Sequence, residues 1–489
     1  MVSARLALKA NTEKFYMQEK LEANLSWNDI RSALRGSYPN RQRADAPAYS
    51  LENDLKYIRR AGSRSLTLTS YLKYLARSQS LEVLRDTGLQ RQEISDRGFY
   101  MNHNAAFGTQ AGRFAFAFKG GVAALFRTLD TDLSGTGLSL PTANDLSTGY
   151  AGAYLQPGIT YRAPRLRLTL DLPAGYRRYR LHDRIARTQS PAGLFTWKPR
   201  LAAKWSPSGR LSLSASGTIG RDAADERTGT GTGAILQDYR SIVCGVGEYL
   251  QALQRSLSAG ITYKNPISGF FANLLVLCSW NDRPLLPTQQ FDGDYIVYGS
   301  ERRTNRVRTW YFSGDASQNI DALNGQAGVS VSYNRSDMEM LQEQVPTPYQ
   351  TSTLTVAPRF NFRFAAWINT EYRLAYRYTT LAIRRRSPDA RHHFDQRLTV
   401  NVIPAKQWII QLTGEHYYSQ LSARQGKHLL LADASLRWKA NAKWEITAAV
   451  TNLLGRNEYA YTLFDGVSSG SYRFAIRPRN VLLGASRRF

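Results

Sequence analysis

Residues 472–489 read YRFAIRPRNVLLGASRRF, and their alternation decides the fold. Val481, Leu483, Ala485 and Phe489 share one parity, and Asn480, Gly484, Ser486 and Arg488 share the other, with Leu482 and Arg487 out of step. Successive side chains of a strand point to opposite faces, so the segment is a strand with one apolar face and one small or polar face. A chain that ends in an unpaired edge strand invites aggregation in water. In a closed barrel the last strand finds a neighbour in the first.

The same period of two recurs upstream. Leu166, Leu168, Leu170 and Leu172 interleave with Arg165, Arg167, Thr169 and Asp171. Leu354, Val356, Phe360, Phe362 and Phe364 interleave with Thr353, Thr355, Arg359, Asn361 and Arg363, and Tyr372, Leu374, Tyr376 and Tyr378 with Glu371, Arg373, Arg377 and Thr379. No long stretch shows a helical period of 3.6, so the chain reads as all-β. At 43% hydrophobic residues and a mean hydropathy of −0.41 it has no apolar run long enough for a spanning helix. A transmembrane barrel passes unseen by that test, because each strand turns only about five residues to lipid.

The tryptophans and turns set the architecture. Trp205, Trp367, Trp408, Trp438 and Trp444 stand beside tight turns, and Phe489 ends the chain. Aromatics at strand ends are what a membrane–water interface selects. Short connections fall near 109–111, 163–164, 207–209, 265–266, 321–324, 367, 405 and 440–442. Longer polar ones lie between them, at 130–145, 182–192, 221–238, 281–302, 337–347, 385–391 and 455–470. Short turns alternating with long loops predict an antiparallel up-and-down transmembrane β-barrel of roughly 18–22 strands. Residues 61–489 are assigned to the barrel, and residues 1–60 to leading strands or a truncated remnant.

At this point the residues carry a resemblance. The run Ala448-Ala449-Val450-Thr451-Asn452-Leu453-Leu454-Gly455, followed by Tyr472-Arg473-Phe474, Arg477-Pro478-Arg479 and Leu482-Leu483-Gly484, resembles the carboxy-terminal strands of TonB-dependent outer-membrane receptors, most of all the Bacteroidetes outer-membrane β-barrel branch. The resemblance implies a location in the cell outer membrane and uptake of a scarce ligand such as a siderophore, cobalamin or glycan. It implies a TonB–ExbB–ExbD partner only if a plug domain is present, lipid and lipopolysaccharide around the wall, and the barrel assembly machinery acting on the terminal strand. Members of the family carry a signal peptide and an amino-terminal plug. Met1–Asn11 lacks the apolar core of a secretory signal, and Leu21, Ala23, Leu25 and Trp27 already alternate. The expectation is therefore a carboxy-terminal barrel portion without the plug. A plug-less passive pore or structural barrel is the alternative reading. A soluble basic nucleic-acid-binding β protein is the third.

Sixty-four Lys and Arg against 38 Asp and Glu give a net charge of +26. A strongly basic chain raises the question of nucleic acid. Here the cations recur at alternate strand positions (Arg165, Arg167, Arg359, Arg363, Arg373, Arg377, Arg397) opposite the apolar face, which places them on a lumen wall. Arg302, Arg303, Arg384, Arg385 and Arg386 fall in or beside long connections. No nucleic-acid-binding motif is present, so no nucleic-acid partner is expected. The predicted ligand region is Arg359, Arg363, Arg373 and Arg377 with the loop aromatics Phe291, Tyr295 and Tyr298.

Chemistry-bearing motifs are sparse. Residues 228–233 read TGTGTG without a Walker lysine. His392 and His393 are adjacent and so point to opposite faces. Asp130 and Asp132 lack a bidentate glutamate to complete a calcium loop. Cys244 and Cys278 sit too far out of register to bridge. No catalytic residue, metal or cofactor is assigned, and no enzyme is expected.

Overall fold

The computed structural model describes residues 2–34, 39–223, 231–384, 386, 389–465 and 468–487. Among them the only helical element is one 3₁₀ turn, Asp321–Leu323. Thirty strands reduce to 21 staves when four broken staves are each counted once and five short loop strands are set aside. Every stave pairs antiparallel with its neighbours in sequence, from Val2–Asn11 against Phe15–Ser26 through to Trp444–Thr451 against Asn480–Arg487. The predicted all-β, up-and-down antiparallel architecture is present.

The terminal pairing differs from expectation. Val2–Asn11 pairs only with Phe15–Ser26, and Asn480–Arg487 only with Trp444–Thr451, among the described residues. Both edges are almost wholly exposed. With 21 antiparallel staves the first and last run in the same direction, each from loop end to turn end, so a direct pairing of the two would be parallel.

The two sheet faces differ as a membrane requires. Reading ladder partners around the sheet, Leu170, Leu201, Gly217, Leu257 and Cys278 share one face, which continues through Trp310 and, on the last staves, Leu412, Ala434, Val450 and Val481. Large apolar side chains stand exposed along it, Leu201 at 60%, Leu257 at 58%, Phe126 at 55% and Leu412 at 49%. So large an exposed apolar face calls for an apolar surround. The opposite face is polar. Arg5 bonds Glu22, Lys73 reaches Glu52 at 2.7 Å, Tyr71 donates to the same carboxylate at 3.0 Å, and Tyr154 donates to Asn102 at 2.8 Å.

Aromatic girdles mark the height of the apolar band. At the turn end Trp408 and Trp438 stack at 5.3 Å across their ladder. Trp205, Trp367 and Trp444 also stand at the turn end, and Phe489 lies outside the described residues. Eight positions above Trp408 on the same face, His416 begins a second belt with His428, Tyr418, Phe394, His392 and Tyr376. That spacing approaches the nine to eleven residues with which a tilted strand crosses about 25–30 Å of hydrocarbon. His392 faces outward with Tyr376, whereas His393 faces inward and meets Ser419, as their adjacency predicted.

The tight turns are present near their expected positions. The long connections differ. Residues 281–302 are mostly strand, with Phe270–Asp292 and Tyr295–Ile320 meeting at a two-residue tip, and 337–347 likewise turns on Glu343 and Gln344. A further long hairpin turns at residues 86–87, between Arg64–Arg85 and Gly88–Ala111. Beyond the membrane both faces of a strand meet water, so the alternation that signals a strand is lost there.

Replacing the outward Leu412 by arginine is expected to cost about 2–4 kcal/mol of folding free energy in bilayers. Arginine at the neighbouring, inward-facing Gln411 is expected to cost close to nothing. Urea titration of the two variants in vesicles measures the difference, and equal losses would refute the facing assigned to this stave.

Candidate functional site

The buried core of this protein lies in the mouth of the cylinder, at the loop end. Val83, Leu133, Ala234, Leu236, Ile242, Tyr295 and Val297 pack into one cluster. They come from distant staves. Val83 sits on the fourth, Leu133 on the sixth, and Tyr295 and Val297 on the thirteenth. The segment 231–244 brings them together by crossing the mouth between them.

Each end of that segment is held by specific bonds. On one side the buried Asn144 accepts from Gly233 N at 2.8 Å and donates to Gly233 O at 3.1 Å. The buried Gln92 accepts from Leu236 N at 2.8 Å and donates to Asp132 O at 2.9 Å. On the other side Ser241–Val243 runs parallel to Ile296–Tyr298 as an added strand. Arg85 completes the bridge. From the tip of the fourth stave it bonds the Tyr239 carbonyl, lies 3.5 Å from Asp294 at the opposite tip, and covers the Tyr295 ring at 5.1 Å. These contacts span the curled sheet and set a cap within its mouth. Cys244 is enclosed in the cap, where burial pushes its thiol up to about 11, and both cysteines are free as expected.

Beneath the cap the lumen wall carries charge. Asp96, 8% exposed in its side chain, takes Arg77 at 2.5 Å and Arg127 at 2.7 Å. It stands fifteen residues above the turn at Ala111, past the length that crosses the hydrocarbon. Burial pushes its carboxyl upward, but the Arg127 and Arg77 guanidinium groups outweigh that and hold it below the usual carboxylate range.

The predicted arginines fall at different places. Arg359, Arg373 and Arg397 form one cross-strand row on the lumen face, with Arg359 opposite Arg373 and Arg373 opposite Arg397. Like charges placed directly opposite destabilise a sheet unless something neutralises them. Glu371 takes Arg373, and Glu415 stands 3.3 Å from Arg397. Arg359 has no carboxylate partner among the described residues, and it lines a lumen cleft with Arg373, Arg397, Asp395 and Tyr417. Arg377 faces the same lumen four residues above Arg373, opposite His393. Arg363 lies at the turn end and donates to the Ala366 carbonyl at 3.0 Å. Phe291 is exposed at its hairpin tip and Tyr298 is half-buried beside it, whereas Tyr295 is buried in the cap. Of the loop cations, Arg302 reaches Glu248 at 3.5 Å and Arg384 donates to Thr347 at 3.2 Å, while Arg385 lies outside the described residues.

Sequence reading named Tyr295, Cys244 and the glycine-rich run ending at Gly233 without placing them in a cap, and it named none of the residues that hold the cap in place. Asn144, Gln92 and Arg85 are isolated polar residues in ordinary strands, and only the curl of the sheet brings them to one segment.

Solved structures of similar shape include the ferric citrate transporter FecA in its unliganded form. Its TM-score is 0.56 at 12% identity, over 99% of this chain and 70% of that one. The copper transporter OprC gives 0.52 at 10% identity, over 100% and 78%. The shared fold is a large antiparallel β-barrel. At these identities the likeness is one of fold. No family model and no curated protein matches the sequence.

Asn144→Ala removes both bonds to Gly233 and leaves its backbone groups unpaired in the cap, at a cost of about 1–3 kcal/mol. It is expected to speed protease cleavage within 231–244 at least fivefold in folded protein, and an unchanged rate would show that the segment is held otherwise. Asp96 gives a pH dependence. Its folded-state pKa is depressed, so its contribution is present above the ordinary carboxylate range and is lost as pH falls through the folded value. Thermal midpoints of the parent protein should fall more than those of Asp96→Asn on acidification from pH 6 to 3.

Proposed function

We propose that this chain is the barrel portion of a TonB-dependent outer-membrane receptor that takes up a scarce, anionic ligand. The observation that carries the reading is the pairing of an outward apolar band, bounded by aromatic belts, with a charged lumen under an inward cap. Such a wall is at home only in a bilayer, and the outer membrane is where β-barrels of this kind reside. The two transporters named above have the same fold and carry ferric citrate and copper by their names.

In this reading Phe291 and Tyr298 at the loop mouth meet the ligand first. Movement of the 231–244 cap admits it, and Arg359, Arg373 and Arg377 receive its negative charge. Arginine suits this role because its planar fork binds carboxylate oxygens in pairs. The TonB–ExbB–ExbD complex acts through a plug domain, and the barrel assembly machinery recognises the terminal strand Asn480–Arg487. The reading assigns the chain binding and passage, with no catalytic step.

The test is a binding titration on refolded protein with ferric chelates of graded charge. Tricarboxylate and carboxylate-siderophore complexes should bind, and Arg359→Ala/Arg373→Ala should weaken them about tenfold or more, the worth of one or two charge-assisted hydrogen bonds. Neutral chelates should bind equally weakly to both forms. Equal anion binding by parent and variant would sink the assignment of the site. Large, steady conductance in planar bilayers with no ligand binding would instead mark a passive pore.

A further inference from the structure

One group of arginines lies on the outward face, away from the lumen. Arg255, Trp280, Arg308, Asp337 and Gln350 are successive ladder partners on five staves, and Asp282, Arg306 and Arg335 flank them on the same face. Together they line a cleft of 730 Å³. Two of the arginines are matched by carboxylates, Arg255 with Asp282 at 2.5 Å and Arg335 with Asp337 at 3.2 Å. Arg306 and Arg308 are exposed and have no carboxylate partner among the described residues. The cleft therefore carries a surplus of two positive charges.

Its height is set by the strands. Trp280 stands ten residues above Phe270 at the turn end, and Arg308 stands twelve residues from Ile320. Trp280 and Trp310 pack edge-on with centroids at 6.5 Å, as a girdle pair, and the arginines begin there and rise beyond it. This is the level at which hydrocarbon gives way to headgroups.

A second hollow opens directly from the first. Leu170, Leu201, Ile219 and Leu257 line an outward groove, and Arg255 and Trp280 belong to both walls. Four aliphatic side chains at hydrocarbon depth thus run without a break into a cationic cleft at headgroup depth.

We propose that this composite groove is a binding site for one phosphorylated, multiply acylated glycolipid of the outer leaflet. Its phosphate lies on Arg306 and Arg308, and its acyl chains lie along Leu170, Leu201, Ile219 and Leu257. Guanidinium groups bind phosphate oxygens in pairs, and they do so more strongly beside a hydrocarbon layer than in water. A zwitterionic lipid leaves the surplus charge unmatched, and free phosphate leaves the apolar groove uncovered. The proposal rests on the reading of this face as lipid-facing but is independent of what the lumen carries.

The probe is purified lipid A, a bis-phosphorylated, multiply acylated disaccharide, added to the folded full chain in detergent, with retention followed by native mass spectrometry. Heat-modifiable gel migration in every arm reports the barrel itself. Loss of that shift in the parent protein would count against the fold reading, whereas a normal shift without lipid retention would count against this site alone. Arg306→Gln/Arg308→Gln should lower retention at least tenfold. Removing the lipid's phosphates should have a similar effect, and Arg359→Ala in the lumen should have none. Competition by millimolar inorganic phosphate alone would reassign the cleft to a free anion. Should the double Gln variant lose the heat-modifiable form, Arg306→Lys/Arg308→Lys, which keeps the charge but loses the paired geometry, should show an intermediate loss. Retention equal to the parent in any folded variant without the two guanidinium groups overturns the proposal.

Discussion

The backbone ladder is the constraint on which the rest depends. In hydrocarbon no water is available to satisfy an N–H or a carbonyl, so each must find a partner on the neighbouring stave. Antiparallel neighbours do this throughout the described sheet, with bulges confined to a few places such as Val402–Ala405. Once the ladder is fixed, so is the facing of every side chain, because the period is two and cannot slip without turning the apolar face inward. The outward leucines, the girdles and the wet lumen follow from that one rule. It also explains the pressure at the two outer edges, Val2–Asn11 and Asn480–Arg487. They run in the same direction, and neither has a ladder partner on its outer side among the described residues.

A soluble domain hides its apolar residues within. Here the arrangement is reversed through the membrane band and becomes conventional only above it. The cap has a true core, with Val83, Leu236 and Ile242 at 0–2% exposure, because that part of the molecule is surrounded by water. Its hydrogen bonds obey the same accounting as the ladder. Asn144 and Gln92 are buried amides, and their bonds to Gly233 and Leu236 satisfy backbone of a segment whose own strands are only two and three residues long. Two polar side chains therefore anchor one end of the segment, and the added strand Ser241–Val243 anchors the other.

Charge is partitioned by the same geometry. The sequence shows an excess of arginine, and alternation places part of it on the lumen wall, where the row of Arg359, Arg373 and Arg397 is found. Another part stands on the outward face at the height of the loop-side girdle. On the readings proposed above, the outward surplus is the one that would meet lipid phosphate and the inward one the ligand. Neither use needs the charge to be concentrated in a sequence motif, which is why no motif announces it.

How much was legible follows from where lipid constrains the chain. Within the band, Leu166 to Leu172 or Tyr372 to Tyr378 must alternate, so strands, facing and the tight turns between them can be read from residue order. Above it, in stretches such as 281–302 and 337–347, both faces are wet, the pattern dissolves, and long hairpins look like loops. The sequence by itself determined the all-β class, the up-and-down order and the inward row of arginines, because these depend on a local period of two. Tertiary structure alone decided that the fourth and thirteenth staves meet through Arg85 and Asp294. It alone joined Arg255, Arg308 and Arg335 into one cleft and left the first and last staves running in parallel. Those outcomes depend on register and on the number of staves, quantities summed over the whole cylinder that no single stretch of residues carries.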